Sequence, residues 1–246
     1  MHNNRYIIIF VLIMTTIVAV VLAGLFTALK STHDKNELIF NKRAVLSAVE
    51  TYLEKPVKEY GDEEIESIFA SKIQQVSVDM EGNTLDAATL QAAGYKGGKA
   101  ENIDNKKEKK KPEADRILPL FVFDNGQEKF YIVNVRGNGL WDEIWGNIAL
   151  KDDFNTIVGT AFDHTGETPG LGAEIKDNPT FPARFVGKKI YDDNGIYQSV
   201  SVMKGGAKDP YHEVDGISGA TITANGVSEM MVRGMKYYEP YFKNLN

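Results

Sequence analysis

The chain has 246 residues, 43% hydrophobic and 25% charged, which suits one large domain or two small ones with enough apolar side chains for a core. Its formal net charge of -6 at pH 7 argues against nucleic acid as a partner, and the lack of cysteine excludes disulfides, thiolate catalysis and cysteine-ligated iron–sulfur clusters within the chain. The four histidines, His2, His33, His164 and His212, show no HxxxH-type spacing, so no metal site is expected.

Ile7 to Leu29 is a run of 23 residues without charge, longer than the about 20 that span a bilayer. Ala19-Val20-Val21 and Val21-Leu22-Ala23 match a signal-peptidase site poorly, and no cysteine follows for lipidation, so a retained single-span helix is expected. Arg5 precedes the span, and Lys30, Lys35, Lys42 and Arg43 follow it. Counted alone, these charges put the C-terminal side in the cytoplasm, but long domains cross regardless of such a count.

Leu38, Ala44, Val45, Ala48, Val49, Tyr52 and Leu53 share a helical face, which predicts a helix over 38–59 ending near Pro56. A second helix is expected at 62–74, with acidic residues in its first turn, and a short strand at 76–80. Residues 94–115 are rich in Gly, Lys, Glu and Asn and read as a solvated surface loop. Strands then dominate. Residues 118–124 and 129–136 flank Asn125-Gly126, a hairpin signal. Residues 147–151, 156–164 and 199–203 read as further strands, while 181–186 is short, apolar and unassigned. From about Ala224 the pattern turns helical through Val227, Met230, Met231, Gly234, Met235, Tyr238 and Phe242, one face of which would pack on the sheet. Helices before, among and after strands predict an α+β domain with a mostly antiparallel sheet and flanking helices.

Three Gly-rich stretches interrupt this pattern. Asp215-Gly216-Ile217-Ser218-Gly219-Ala220-Thr221-Ile222-Thr223 sets three hydroxyls among small residues at the expected start of the last helix. Such a start offers free N–H donors and a positive dipole end, the ingredients of a phosphate site. A Ser/Thr-rich helix cap explains the same residues, and spacing alone favours the cap. Thr165-Gly166-Glu167-Thr168-Pro169-Gly170-Leu171-Gly172-Ala173 follows a predicted strand and fits neither the Walker A loop nor the Rossmann fingerprint. Gly137-Asn138-Gly139-Leu140-Trp141-Asp142 precedes another strand, and Trp141 there suits either a planar ring or a core.

Taken in order, GNGLWD, ETPGLGA, FVGKK (185–189) and DGISGATIT resemble the FMN-binding domain of membrane electron-transfer complexes. The likeness is nearest to the C subunits of Na⁺-translocating NADH:quinone reductases, with the G subunits of Rnf-type ferredoxin:NAD complexes as the alternative. It implies a single transmembrane helix (1–29 with its tail) followed by one extracytoplasmic FMN-binding domain (30–246). It implies further that the chain relays electrons within a redox complex of the inner membrane, its soluble domain on the periplasmic side, with turnover, Na⁺ transport and ubiquinone reduction belonging to the assembly. The family's flavinylation motif, Asp-Gly-x-Ser/Thr-Gly-Ala-Thr, is matched by Asp215, Gly216, Ser218, Gly219, Ala220 and Thr221. The resemblance therefore makes Thr221 the acceptor of a phosphoester to FMN, with Ser218 and Thr223 as hydrogen-bond partners. Glu167, Thr168, Pro169, Gly170, Leu171 and Gly172 would line the flavin, Leu140 and Trp141 would approach its ring, and Lys204 would face the flavin or its phosphate. The implied partners are other subunits of the complex, membrane lipid, and a flavin transferase using FAD and Mg²⁺ during maturation. No catalytic acid or base is implied.

Two other readings fit less of the chain. Gly216-Ile217-Ser218-Gly219-Ala220 departs from the GxSxG hydrolase elbow at its last position, and no histidine follows His212. An anchored scaffold explains the apolar run but not the Gly-rich motifs.

Overall fold

The structure, a computed structural model, describes residues 4–245. It divides into two compact units at Phe40/Asn41. The first unit is one helix, α1 (Asn4–Ser47), which runs on into the second. It is the one described helix long and apolar enough to cross a membrane, with a mean hydropathy of 3.0 in its apolar window. Thr15 and Thr27 do not interrupt it, because their hydroxyls donate to the carbonyls of Val11 and Ala23, both at 2.8 Å.

The separate helix expected over 38–59 does not form. Its apolar face belongs to the end of α1, and beyond Ser47 the chain makes 3₁₀ turns at Glu50–Tyr52 and Val57–Glu59. Pro56 supplies no N–H, and the Glu50 carboxylate accepts from the Val57 N–H at 2.7 Å, closing the turn instead. Helix α2 (Asp62–Lys72) then begins at Gly61, whose N–H donates to Glu64 at 2.7 Å. Strand β1 (Ile73–Val78) follows directly.

Between β1 and the next strand lie α3 (Ala87–Ala92) and α4 (Asn105–Lys110). The segment 94–115 is thus not a plain solvated loop. Tyr95, Ala100, Ile103 and Glu108 are buried in it, and the Glu108 carboxylate accepts from the Tyr95 hydroxyl and, at 2.7 Å, from the Ile117 N–H. Lysine density hides this in the sequence, because the anchoring residues are spaced singly among the charges.

Strands β2 (Leu118–Asp124), β3 (Lys129–Asn138), β4 (Glu143–Leu150) and β5 (Ile157–His164) complete a five-stranded antiparallel sheet in sequence order. Gly126, at φ 84°, makes the tight turn of the β2–β3 hairpin. The sheet is covered on both faces. Leu118, Leu120, Val122, Val133 and Val135 belong to one core cluster, while Phe121, Phe123, Phe130 and Ile132 belong to the other, as period-two alternation requires. Double coverage explains why β2 is apolar at nearly every position.

The chain continues through α5 (Glu174–Asp177), α6 (Thr180–Ala183), β6 (Ser201–Met203), β7 (Glu213–Asp215), α7 (Thr221–Lys236) and α8 (Glu239–Leu245). The short strands β6 and β7 pair in parallel, so the antiparallel rule holds for the main sheet and not for this pair. The last helix is two helices. Tyr238, at the break, is fully buried and its hydroxyl meets the carbonyls of Pro119 at 2.9 Å and Asn134 at 3.1 Å. Helix α7 lies on β3 at close range: a Cβ on Gly226 would stand 2.1 Å from the Asn138 carbonyl oxygen. That contact brings the start of α7 to the end of β3.

Candidate functional site

The three Gly-rich stretches occupy three neighbouring ends. GNGLWD is the β3–β4 turn, closed by the Gly139 N–H donating to the Asp142 carbonyl at 2.8 Å. ETPGLGA is the loop leaving β5, and SGATIT is the entry to α7. Between them is an open cleft of about 240 Å³, lined by Leu140 from the first, Glu167, Thr168, Leu171 and Gly172 from the second, and residues 219–223 from the third.

The helix entry does not carry a Ser/Thr cap. Ala220 is the N-cap residue, with no side-chain hydrogen bond, and its carbonyl accepts from the Ala224 N–H at 2.9 Å. The first-turn N–H groups of Thr221, Ile222 and Thr223 therefore have no intrahelical acceptor, at the positive end of a helix of 16 residues. The hydroxyls here have different fates. Thr221 is exposed at the mouth of the cleft, whereas Thr223 is 1% exposed and donates to Glu167 Oε2 at 2.5 Å. Helical geometry sets this difference, because residues two apart point about 200° apart around the axis.

Glu167 lines the cleft yet is buried, and both carboxylate oxygens are engaged: Oε1 accepts from the Trp141 N–H at 2.9 Å while Oε2 accepts from Thr223. Thr168 Oγ1 accepts from the Trp141 indole N–H at 3.0 Å. Leu140, Leu171 and Ile222 are 47%, 41% and 57% exposed, large apolar groups left uncovered around one cleft, as at a ligand-binding surface. A thin polar entry with free N–H donors beside an apolar wall matches FMN, which joins a phosphate to a planar ring.

Other expected residues stand further off. Pro169 and Gly170 are exposed in the loop and do not line the cleft, nor does Ser218 in the turn before α7. Asp215 ends β7, where Oδ1 accepts from the Ala207 N–H at 2.7 Å. Lys204 is exposed in the turn after β6 and is not part of the cleft wall. Two contributors were not expected. Ile222 lines the cleft, signalled only by its place beside Thr221. Arg184 donates to the carbonyls of Asp215 and Gly216 at 2.7 and 3.1 Å and so braces the motif from a distant segment, for which the sequence carries no signal. His212 faces the Ser199 carbonyl at 3.2 Å, so no serine–histidine hydrolase pair forms with Ser218. Among the described residues, no group of three His, Asp or Glu side chains is placed to hold a metal ion.

This sheet, cleft and helix entry define an FMN-binding domain, and the profile of that family matches residues 139–236, from the β3–β4 turn to the end of α7. The C subunit of the Na⁺-translocating NADH-quinone reductase of Pseudomonas aeruginosa is 34% identical over 235 residues, covering 89% of this chain and 87% of that one. The corresponding C subunit of Neisseria meningitidis serogroup A is 33% identical over 249 residues, covering 97% and 93%. The crystal structure of the Parabacteroides distasonis C subunit superposes with a TM-score of 0.74 at 32% identity, over 89% of this chain and 98% of that one. The chain belongs to the family of Na⁺-translocating NADH-quinone reductase C subunits.

Proposed function

We propose that this chain carries FMN as a phosphoester on Thr221 Oγ1 and relays electrons within a Na⁺-translocating NADH-quinone reductase of the inner membrane. The observation that supports it most directly is the contrast between two threonines on one helix turn. Thr221 offers a free hydroxyl at a cleft, while Thr223 is sealed beneath it. With FAD as donor, a separate Mg²⁺-dependent transferase would move the FMN phosphoryl group onto Thr221. The Oγ1–P bond would form, the P–O bond to AMP would break, and the threonine proton would leave with AMP.

The flavin would supply the electron chemistry, and the chain's own residues hold it in place. The first-turn N–H groups of α7 would bond the phosphate, favoured by the helix dipole. Leu140, Leu171 and Ile222 would exclude water from one side of the ring, and Trp141 would stand at its edge. The open side of the cleft leaves the ring within reach of a partner, and no proton-transferring side chain is required. Helix α1 would cross the membrane once among lipids, with the folded unit on the periplasmic side. Other subunits would serve as electron donor and acceptor, and NADH oxidation, ubiquinone reduction and Na⁺ movement would be properties of the whole assembly.

The test is coexpression of the full chain with an FAD-dependent flavin transferase, followed by denaturing electrophoresis. A flavin-fluorescent band from the wild type, lost in Thr221→Ala, is expected. A dark wild-type band beside a transferase that modifies a control substrate, or fluorescence that survives Thr221→Ala, refutes the assignment. The chain has no cysteine, so a Lys204→Cys variant reports orientation through labelling by a membrane-impermeant maleimide. Labelling in intact spheroplasts is expected, and labelling only after lysis refutes the periplasmic placement.

A further inference from the structure

The cleft's shape converges on one carboxylate. Glu167 joins all three Gly-rich stretches: it belongs to the β5 loop, accepts the Trp141 N–H from the β3–β4 turn, and accepts the Thr223 hydroxyl from α7. Its own N–H donates to His164 Nδ1 at 3.1 Å, which fixes the backbone from which the side chain reaches. We propose that Glu167 is a positioning residue, a clasp that sets the Trp141 indole and the start of α7 at the edge of the flavin cleft. This rests on the FMN reading given above.

Two glycines support the clasp independently of the hydrogen bonds. A Cβ at Gly139 would lie 2.4 Å from Glu167 Oε1, and a Cβ at Gly172 would lie 2.2 Å from Oε2. Neither glycine has a positive φ, so backbone conformation does not require them. What requires them is the volume the carboxylate occupies. Gly139, Gly172 and the Glu167 carboxylate are therefore one steric unit.

Trp141 is where the clasp acts. Its indole is 69% exposed, so packing does not fix it. It is held by two polar tethers to adjacent residues, its backbone N–H on Glu167 and its Nε1–H on Thr168. Removing the Glu167 carboxylate frees the backbone end of the indole. It also leaves the buried Thr223 hydroxyl without its acceptor, at the turn of α7 that begins with Thr221.

The test uses the full chain in a Trp145→Phe background, so that emission reports on Trp141 alone, with and without the transferase. Glu167→Gln keeps the length of the side chain. Its carbonyl still accepts the Trp141 N–H, and its amide donates to Thr223 Oγ1, whose own proton turns away. Glu167→Ala has neither contact, and Glu167→Asp, one methylene shorter, cannot span both partners. The expected result is a fast component of the Trp141 anisotropy decay that grows in the Ala and Asp variants and stays at its parental level in Gln. In the flavinylated protein, the flavin visible circular dichroism is expected to be lost in Ala, reduced in Asp and kept in Gln. If Ala fails to fold, Asp against Gln carries the same comparison. Unchanged anisotropy and dichroism in Ala or Asp overturn the proposal. Equal losses in Gln and Ala also overturn it, since charge and not the clasp would then be responsible. A parent chain that takes no flavin defeats the functional reading alone, because the anisotropy measurement needs no flavin.

Discussion

Gly226→Ala separates two effects of opposite sign at one position. Gly226 is inside α7, and in a helix interior alanine is favoured over glycine by about 1 kcal/mol. Considered as a local change, the substitution stabilises the protein. The tertiary contact opposes it. The new Cβ would stand 2.1 Å from the Asn138 carbonyl oxygen, where real Cβ atoms keep more than 3.0 Å, so helix and strand must part by roughly an ångström. Neither side yields easily. Asn138 is paired with Glu143 in the β3–β4 ladder, and α7 is held in the core by Met230, Met231 and Met235. Overpacking costs about 1–3 kcal/mol, and an unyielding backbone atom puts this case at the upper end. A net loss of about 2 kcal/mol is expected. Asn225→Ala is the matched control, since Asn225 is exposed one residue earlier and alanine there gains a few tenths of a kcal/mol from propensity. Urea unfolding of the full chain in detergent, followed by near-ultraviolet circular dichroism, measures both. A Gly226→Ala protein as stable as the wild type refutes the packing argument, because propensity alone would then govern the site.

Thr221→Ser keeps an exposed hydroxyl at the helix start, so covalent flavin fluorescence in a denaturing gel is expected to persist there while Thr221→Ala abolishes it. Glu108→Ala strips acceptors from the Ile117 N–H and the Tyr95 hydroxyl and should cost about 1–3 kcal/mol by urea titration. Tyr238→Phe leaves the Pro119 and Asn134 carbonyls without their donor, an expected loss of about 1–2 kcal/mol in the same assay. Burial raises the phenol of Tyr238, and burial with Glu239 nearby pushes Tyr191 up to about 12. The unfolded phenols ionise near about 10, so the unfolded chain releases protons first as pH rises. Stability should therefore be intact below pH ~10 and fall above it, through about 12 for Tyr191, with a shallower fall in Tyr238→Phe.

Much of the fold was legible because local signals agreed. The 23 uncharged residues, the Asn125-Gly126 turn between two strand-forming runs, and the methionine-rich helical face of α7 are each a clear local signal. The misreadings have specific causes. The apolar face at 38–53 is helical only to Ser47 because it continues α1, and periodicity cannot say where a continuous helix stops. Glu108 lies buried in a lysine-rich stretch, held by Tyr95 and by Ile117 nine residues on, and charge density conceals such a pairing. The parallel pairing of β6 with β7 joins two three-residue strands too short to leave a pattern.

The site divides the same way. The amino-acid order by itself determined which motifs belong together, the likeness to FMN-binding domains, and Thr221 as the acceptor that likeness implies, since the spacing Asp-Gly-x-Ser-Gly-Ala-Thr is a property of the chain alone. Three-dimensional packing decided the rest. It exposed Thr221 and buried Thr223, drew Ile222 into the cleft, left Lys204 outside it, and joined Glu167 by hydrogen bonds to both other motifs. The physical reason is distance along the chain. Glu167 meets a turn 26 residues before it and a helix 56 residues after it. Those three segments adjoin because a glycine in α7 lets that helix settle against β3.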